Sequence, residues 1–161
     1  MKKLLLVRHA KSSWEHNVID HERPLNDRGV SDAQTVSNRL KNDHLKIDLI
    51  LCSDSVRTTS TAKTFISNLD LDKNILVFNH DLYDFSGSNL IQVIKACNNK
   101  VNNLMVFGHN HAITAFVNTF GDSHIENVPT CGVVQIEFNI NSWEDLNKGK
   151  TVSTLFPRDL R

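Results

Sequence analysis

The chain of 161 residues carries 18 Lys plus Arg against 18 Asp plus Glu, and 40% of its residues are hydrophobic. This composition is typical of one folded domain over residues 1–161 and excludes a largely disordered chain. The balanced charge excludes an overall field that would attract nucleic acid or an anionic membrane, so any anion must be bound by locally placed cations.

The cysteines and the N-terminus bear on the cellular location. Cys52, Cys97 and Cys131 are widely spaced and form no C-x-x-C pair, as is typical of reduced thiols. The first apolar run, residues 4–7, ends at Arg8 and is too short for a signal-peptide core or a membrane span. We therefore expect a cytoplasmic protein with neither a membrane nor a nucleic-acid partner.

Short apolar runs alternate with amphipathic ones along the chain. A buried strand is predicted at 2–7, and a loop containing Trp14 leads from it to the first helix. The inner face of that helix is expected to carry Val30, Ala33, Val36 (or Ser37) and Leu40. Further strands are predicted at 47–52, 75–78 and 104–107, with helices at 56–69, around 90–97 and at 112–120.

The C-terminal part of the pattern completes the expected fold. Residues 133–138 alternate apolar and polar side chains and are predicted to pair with 152–156 as a hairpin. Trp14 and Trp143 are interpreted as packing residues. The alternation of strands and helices predicts a three-layer α/β/α sandwich with a mostly parallel central sheet.

Basic residues follow three of the predicted strands. Arg8 and His9 end the first, Arg57 lies shortly after the second, and His109 follows 104–107. In parallel sheets a ligand binds beyond the carboxyl ends of the strands, so these side chains are expected to converge. Two guanidinium forks match phosphate oxygens, and a neutral imidazole can attack phosphorus. The pattern therefore predicts a pocket for phosphoryl transfer.

Two other kinds of site are tested against the same residues. His109 and His111 form an H-x-H pair, but no third ligand cluster accompanies it and the arginines would repel a cation. We therefore expect no metal and no cofactor. Cys52 and Arg57 are separated by four residues, whereas a cysteine-based phosphatase needs five, so that class is excluded.

The motifs resemble those of the histidine phosphatase superfamily, the phosphoglycerate-mutase-like proteins, and of its short, SixA-like branch. The matching segments, in chain order, are residues 6–12 (L-V-R-H-A-K-S), 24–29 (P-L-N-D-R-G), 53–62 (S-D-S-V-R-T-T-S-T-A), 107–110 (F-G-H-N) and 127–132 (N-V-P-T-C-G). The resemblance implies that His9 is the phosphorylated nucleophile and that Arg8, Arg57 and His109 form the phosphate pocket. It also implies that no metal or organic cofactor is needed and that the activity is protein phosphohistidine dephosphorylation.

The chain departs from the family pattern at the proton donor. Short members often read L-Y-E where this chain has Leu82-Tyr83-Asp84, so Asp84 is the candidate acid. It can donate a proton only if its surroundings keep it protonated. Without a strong acid the pocket would favour N–P substrates, because an imidazole leaving group can be protonated beforehand, over phosphate esters.

Three functions remain open at this point. The first is a metal-independent phosphohydrolase acting on a phosphorylated protein histidine, and the second is a phosphomonoesterase acting on a small phosphoester. The third is a module that recognises phosphate without hydrolysing it. The remaining histidines are expected to be solvated, namely His16, His21, His44, His80 and His124. Among them, His21 belongs to the loop that leads from the pocket toward Pro24.

Overall fold

The central element is one six-stranded sheet. The computed structural model describes all 161 residues. The strands are β1 (Lys2–Arg8), β2 (Leu49–Cys52), β3 (Leu76–Phe78), β4 (Asn103–Gly108), β5 (Val133–Phe138) and β6 (Lys150–Leu155). They lie in the order β3-β2-β4-β1-β5-β6. The first four are parallel, whereas β5 is antiparallel to β1 and to β6, which confirms the mostly parallel sheet and the C-terminal hairpin.

Two pairs of helices cover the two faces of this sheet. They are α1 (Asp27–Leu40), α2 (Val56–Asn68), α3 (Ser88–Lys95) and α4 (Ala112–Phe120). Because side chains alternate along a strand, Leu4 and Leu6 of β1 pack with α3 and α4, while Leu5 and Val7 pack with α1 and α2. The three-layer sandwich is therefore confirmed. No helix combines the length and hydrophobicity that a membrane crossing requires.

Side-chain caps begin the helices that border the carboxyl edge of the sheet. The Asn26 side chain accepts a hydrogen bond from Gly29 N at 2.8 Å and starts α1. Ser55 starts α2, and Asn110 Oδ1 accepts from Thr114 N at 3.0 Å in the first turn of α4. These caps satisfy backbone donors that a helix leaves unpaired and fix where each helix meets the pocket.

The expected inner face of α1 was wrong at Val30, which is 51% exposed. Gly29 faces inward instead, and a Cβ there would lie 2.1 Å from Lys11 O. The close approach of the β1–α1 loop to this glycine rotates Val30 outward. The remaining members of the stripe, Ala33, Val36, Ser37 and Leu40, are buried as expected.

The two tryptophans have different surroundings. Trp143 is fully buried, and its Nε1 donates to Val101 O at 2.8 Å, which confirms its packing role. Trp14 is 79% exposed and does not contribute to the core. The Arg23 guanidinium lies 3.5 Å from the centre of its ring, so the Trp14 ring covers a buried arginine from the solvent side.

Candidate active site

The register of the parallel strands places the basic residues at one edge of the sheet. Arg8 pairs with Gly108 across β1 and β4, so His9 and His109 are the next residues on adjacent strands. Their ring centroids are 5.2 Å apart. Arg57, on the first turn of α2, has its Nε 3.3 Å from His9 Nε2 and its Nη2 3.5 Å from His109 Nδ1. The convergence expected from the strand ends is present.

His9 is oriented by the backbone that follows it. Its Nδ1 lies 2.7 Å from Ala10 O, and because a carbonyl only accepts, this nitrogen carries the proton. Nε2 is then the unprotonated nitrogen, and it accepts a hydrogen bond from Arg57 Nε. Burial, chiefly, and the nearby cationic arginines lower the pKa of His9 to about 3, against the opposing hydrogen bond to Ala10. The ring is therefore neutral and nucleophilic near neutral pH.

His109 lies beneath a group of hydroxyls. Its Nε2 is 2.8 Å from Ser53 Oγ, 3.3 Å from Thr58 Oγ1 and 3.4 Å from Ser55 Oγ. Burial, the His9 ring and Arg57 lower the pKa of His109 to about 2. A hydroxyl can either donate or accept, so in its Nδ1–H tautomer this neutral ring accepts from a hydroxyl at Nε2. It can then donate to an anion that replaces Arg57 Nη2 beside Nδ1.

Arg8 has an unused donor. Its Nη1 donates to Val128 O at 2.9 Å, whereas its Nε is buried and has no hydrogen-bond partner. Burial and the charge of Arg57 both lower the pKa of Arg8. An unpaired buried N–H costs free energy, and an anion in the pocket would remove that cost.

Asp20 is a pocket residue that the sequence reasoning missed. It lies in the 3₁₀ turn Asp20–Glu22 of the β1–α1 loop. Arg57 donates to Asp20 O at 2.7 Å and to Asp20 Oδ2 at 3.0 Å, and Tyr83 Oη also donates to Oδ2. Burial alone raises the pKa of the Asp20 carboxyl, but the hydrogen bonds from Tyr83 and Arg57 outweigh it and hold the pKa well below its usual range. An ionised carboxylate thus lies where Arg57 would hold phosphate oxygens.

Arg23 is the second missed residue, and it adds a third cation near the pocket. It is 7% exposed, donates to Ser12 Oγ at 2.8 Å and contacts the Asp20 carboxylate through Nε at 3.1 Å. Its charge also contributes to the lowered pKa of His9. The sequence could have indicated Arg23 through the fold alone, because the β1–α1 loop lies at the carboxyl edge of the sheet, where the pocket was expected.

The Asp84 carboxylate is hydrogen-bonded to the segment that follows it. Its Oδ2 accepts from Gly87 N at 3.1 Å and Leu90 N at 3.0 Å, and its Oδ1 accepts from Ser86 N and Oγ. Burial raises the pKa of this carboxyl, but the backbone hydrogen bonds outweigh it and the pKa is lowered. The condition for proton donation, a carboxyl kept protonated, is not met in this arrangement.

The cysteine chemistry excluded by spacing is also disfavoured by the surroundings of Cys52. Burial, with a smaller contribution from Asp54, raises the pKa of the Cys52 thiol far above its usual value. The thiol donates to Ser53 O at 3.2 Å. A protonated, buried thiol is not a nucleophile, so Cys52 is a core residue.

Known sequences match this chain over the region that contains the N-terminal part of the site. The model of the histidine phosphatase superfamily (branch 1) matches residues 4–77, which include Arg8, His9 and Arg57. An uncharacterised chloroplastic protein of Arabidopsis thaliana is 29% identical over 154 residues, covering 89% of this chain and 70% of the relative. An uncharacterised protein of Mycobacterium tuberculosis is 26% identical over 153 residues, covering 89% and 93%.

Solved structures share the fold. The protein histidine phosphatase SixA, complexed with tungstate, superposes with a TM-score of 0.82 at 18% identity over 99% of each chain. A proposed SixA phosphohistidine phosphatase from Agrobacterium tumefaciens gives 0.77 at 20% identity over 96% of this chain and 97% of that one. A phosphoglycerate mutase from Bacillus anthracis gives 0.62 at 18% identity, covering 84% and 87%. The chain thus resembles the histidine phosphatase superfamily over residues 4–77 and has the fold of the SixA-like phosphatases.

Proposed function

We propose that the chain, acting as a single domain over residues 1–161, is a metal-independent phosphohydrolase that removes phosphate from a phosphorylated protein histidine. The observation that carries the proposal is the pairing of His9 with Arg57, whose Nε lies 3.3 Å from the unprotonated Nε2. His9 is the nucleophile, Arg8 and Arg57 bind the phosphate oxygens, and His109 donates a hydrogen bond to the transferring group. No cofactor takes part.

The reaction proceeds in two displacements on phosphorus. His9 Nε2 attacks as the N–P bond of the substrate breaks, and the leaving imidazole departs neutral because its second nitrogen was protonated beforehand. The hydrogen bond that His9 Nδ1–H donates to Ala10 O stabilises the positive charge that the His9 ring gains. Water then attacks the phosphorylated His9, inorganic phosphate leaves, and the neutral ring is restored.

Exposed apolar side chains beside the pocket support a protein substrate. Ile19, next to Asp20, is 68% exposed, and Val56, next to Arg57, is 38% exposed. Phe85 is 45% exposed, and its ring centroid is 5.1 Å from that of His109. Apolar groups at the rim of a polar pocket give a macromolecular partner surface to bury, whereas a small phosphoester would leave them in water.

Removing the nucleophile should abolish turnover. We expect His9→Ala to lower phosphate release from a phosphohistidine peptide at least about a thousandfold, and Arg57→Ala to lower it about a hundred- to a thousandfold. His111→Ala, which changes an exposed histidine two residues from His109, should retain the wild-type rate, and activity should persist in EDTA. Tight peptide binding without phosphate release by the wild type would instead indicate a recognition module.

The position of the Asp84 carboxylate leads to a second prediction. We expect Asp84→Asn to lower stability by about 1 kcal/mol, because the amide replaces one of the two oxygens that accept backbone hydrogen bonds. It should change turnover of a phosphohistidine peptide and of a sugar phosphate by the same small factor. Thermal unfolding and steady-state rates measure the two effects, with Asp81→Asn as the control for an exposed carboxylate. A drop of a hundredfold on the sugar phosphate alone would restore Asp84 as the acid of a phosphomonoesterase.

Asp20 should compete with ligands for Arg57. The Asp20 side chain is 42% exposed, and such partly exposed ion pairs contribute less than about 1 kcal/mol. We therefore expect Asp20→Ala to tighten inhibition by orthovanadate about two- to fivefold, with Asp81→Asn unchanged. Weaker inhibition would mean that Asp20 holds Arg57 in its binding position and does not compete with the anion.

A further inference from the structure

Three ligand-type side chains meet just outside the phosphate pocket. His21 belongs to the turn Asp20–Glu22, Asp54 precedes α2, and His80 belongs to the 3₁₀ turn His80–Leu82 after β3. His21 Nε2 lies 2.8 Å from Asp54 Oδ1, and His80 Nδ1 lies 3.0 Å from both Asp54 oxygens. One donor atom from each side chain lies within 4.8 Å of the other two. Three separate segments of the chain therefore converge on one carboxylate.

The donor set is that of a transition-metal site. Two imidazole nitrogens and one carboxylate oxygen suit Zn²⁺ and its neighbours, whereas Mg²⁺ and Ca²⁺ prefer oxygen alone. Tetrahedral zinc with bonds of about 2.1 Å holds its ligand atoms roughly 3.4 Å apart. Small rotations of the exposed His80 ring and of the Asp54 carboxylate would bring the three donor atoms toward that spacing.

The cluster is separate from the phosphate pocket. The Tyr83 ring stands between them, with its centroid 4.9 Å from that of His21 and 5.2 Å from that of His109. Within the pocket, Arg8 and Arg57 repel a cation, whereas the His80 side chain is 70% exposed and open to a hydrated ion. Exposure also leaves room for the water that completes a site with three protein ligands.

We propose that His21, Asp54 and His80 bind one divalent transition-metal ion of the Zn²⁺ class. The ion ties the β1–α1 loop and the β3–α3 segment to the start of α2, on either side of the pocket mouth. It contributes no step to phosphoryl transfer. Because His21 follows Asp20 directly, the bound ion also restrains the turn whose carboxylate lies against Arg57.

Isothermal titration calorimetry of the full chain with zinc chloride tests the site. We expect saturable binding of one ion per chain. His80→Ala and Asp54→Asn should each weaken the affinity at least about tenfold, because even a partner in the outer coordination shell costs that much. Two control variants should retain the wild-type affinity. His124→Ala removes an exposed histidine outside the cluster, and His9→Ala removes an imidazole of the phosphate pocket.

Thermal unfolding supplies a second readout that needs neither substrate nor activity. Zinc should raise the unfolding midpoint of the wild type, since a ligand that binds only the folded state stabilises it, and should not raise that of His80→Ala. The absence of saturable binding to the wild type would overturn the proposal. So would a His80→Ala variant that binds as the wild type does, or loss of binding on His9→Ala.

Discussion

The buried guanidinium of Arg57 and the half-buried guanidinium of Arg8 lie near each other and impose the condition on which the site depends. Arg57 is 2% exposed, and its charge lowers the pKa of Arg8. Burying like charges is unfavourable unless an anion accompanies them. The same positive charge, added to burial, keeps both His9 and His109 neutral, which is the state that a nucleophile and a hydrogen-bond donor to phosphate require. The positive charge of the arginines therefore explains both why an anion is favoured in the pocket and why the two imidazoles are neutral.

The Asp20 carboxylate supplies part of the negative charge that these arginines require. Asp20 accepts from Arg57, Arg23 and Tyr83, yet the buried Nε of Arg8 keeps no partner. A tetrahedral dianion has more oxygens and more charge than a single carboxylate and can reach both guanidiniums. Replacement of the Asp20 carboxylate by a substrate phosphate would satisfy the donor that Asp20 leaves unpaired. On the proposed function, the β1–α1 loop, which carries Asp20, would therefore take part in phosphate binding.

Much of this arrangement was predictable from the sequence because it follows from the sheet. Parallel strands end at a common edge, so residues just beyond β1, β2 and β4 had to lie near one another, and Arg8, His9, Arg57 and His109 do. The contacts of Asp20 and Arg23 depend on the path of an irregular loop, which no periodicity encodes. The prediction that Trp14 packs in the core was wrong because Trp14 lies in the same irregular loop. The prediction that Val30 faces inward was wrong because Gly29 approaches the Lys11 carbonyl. The pKa of Asp84 depends on hydrogen bonds from backbone N–H groups at the start of α3, and these cannot be predicted from the residue types alone.

The central claim is that His9 forms a covalent bond to phosphorus during turnover. Mass spectrometry of protein quenched during turnover of a phosphohistidine peptide, under conditions that preserve acid-labile phosphate, tests it directly. The account requires one added phosphate on the peptide that contains His9, and its disappearance in His9→Ala. Phosphate on another residue, or unmodified protein at every time point of a productive reaction, would contradict it.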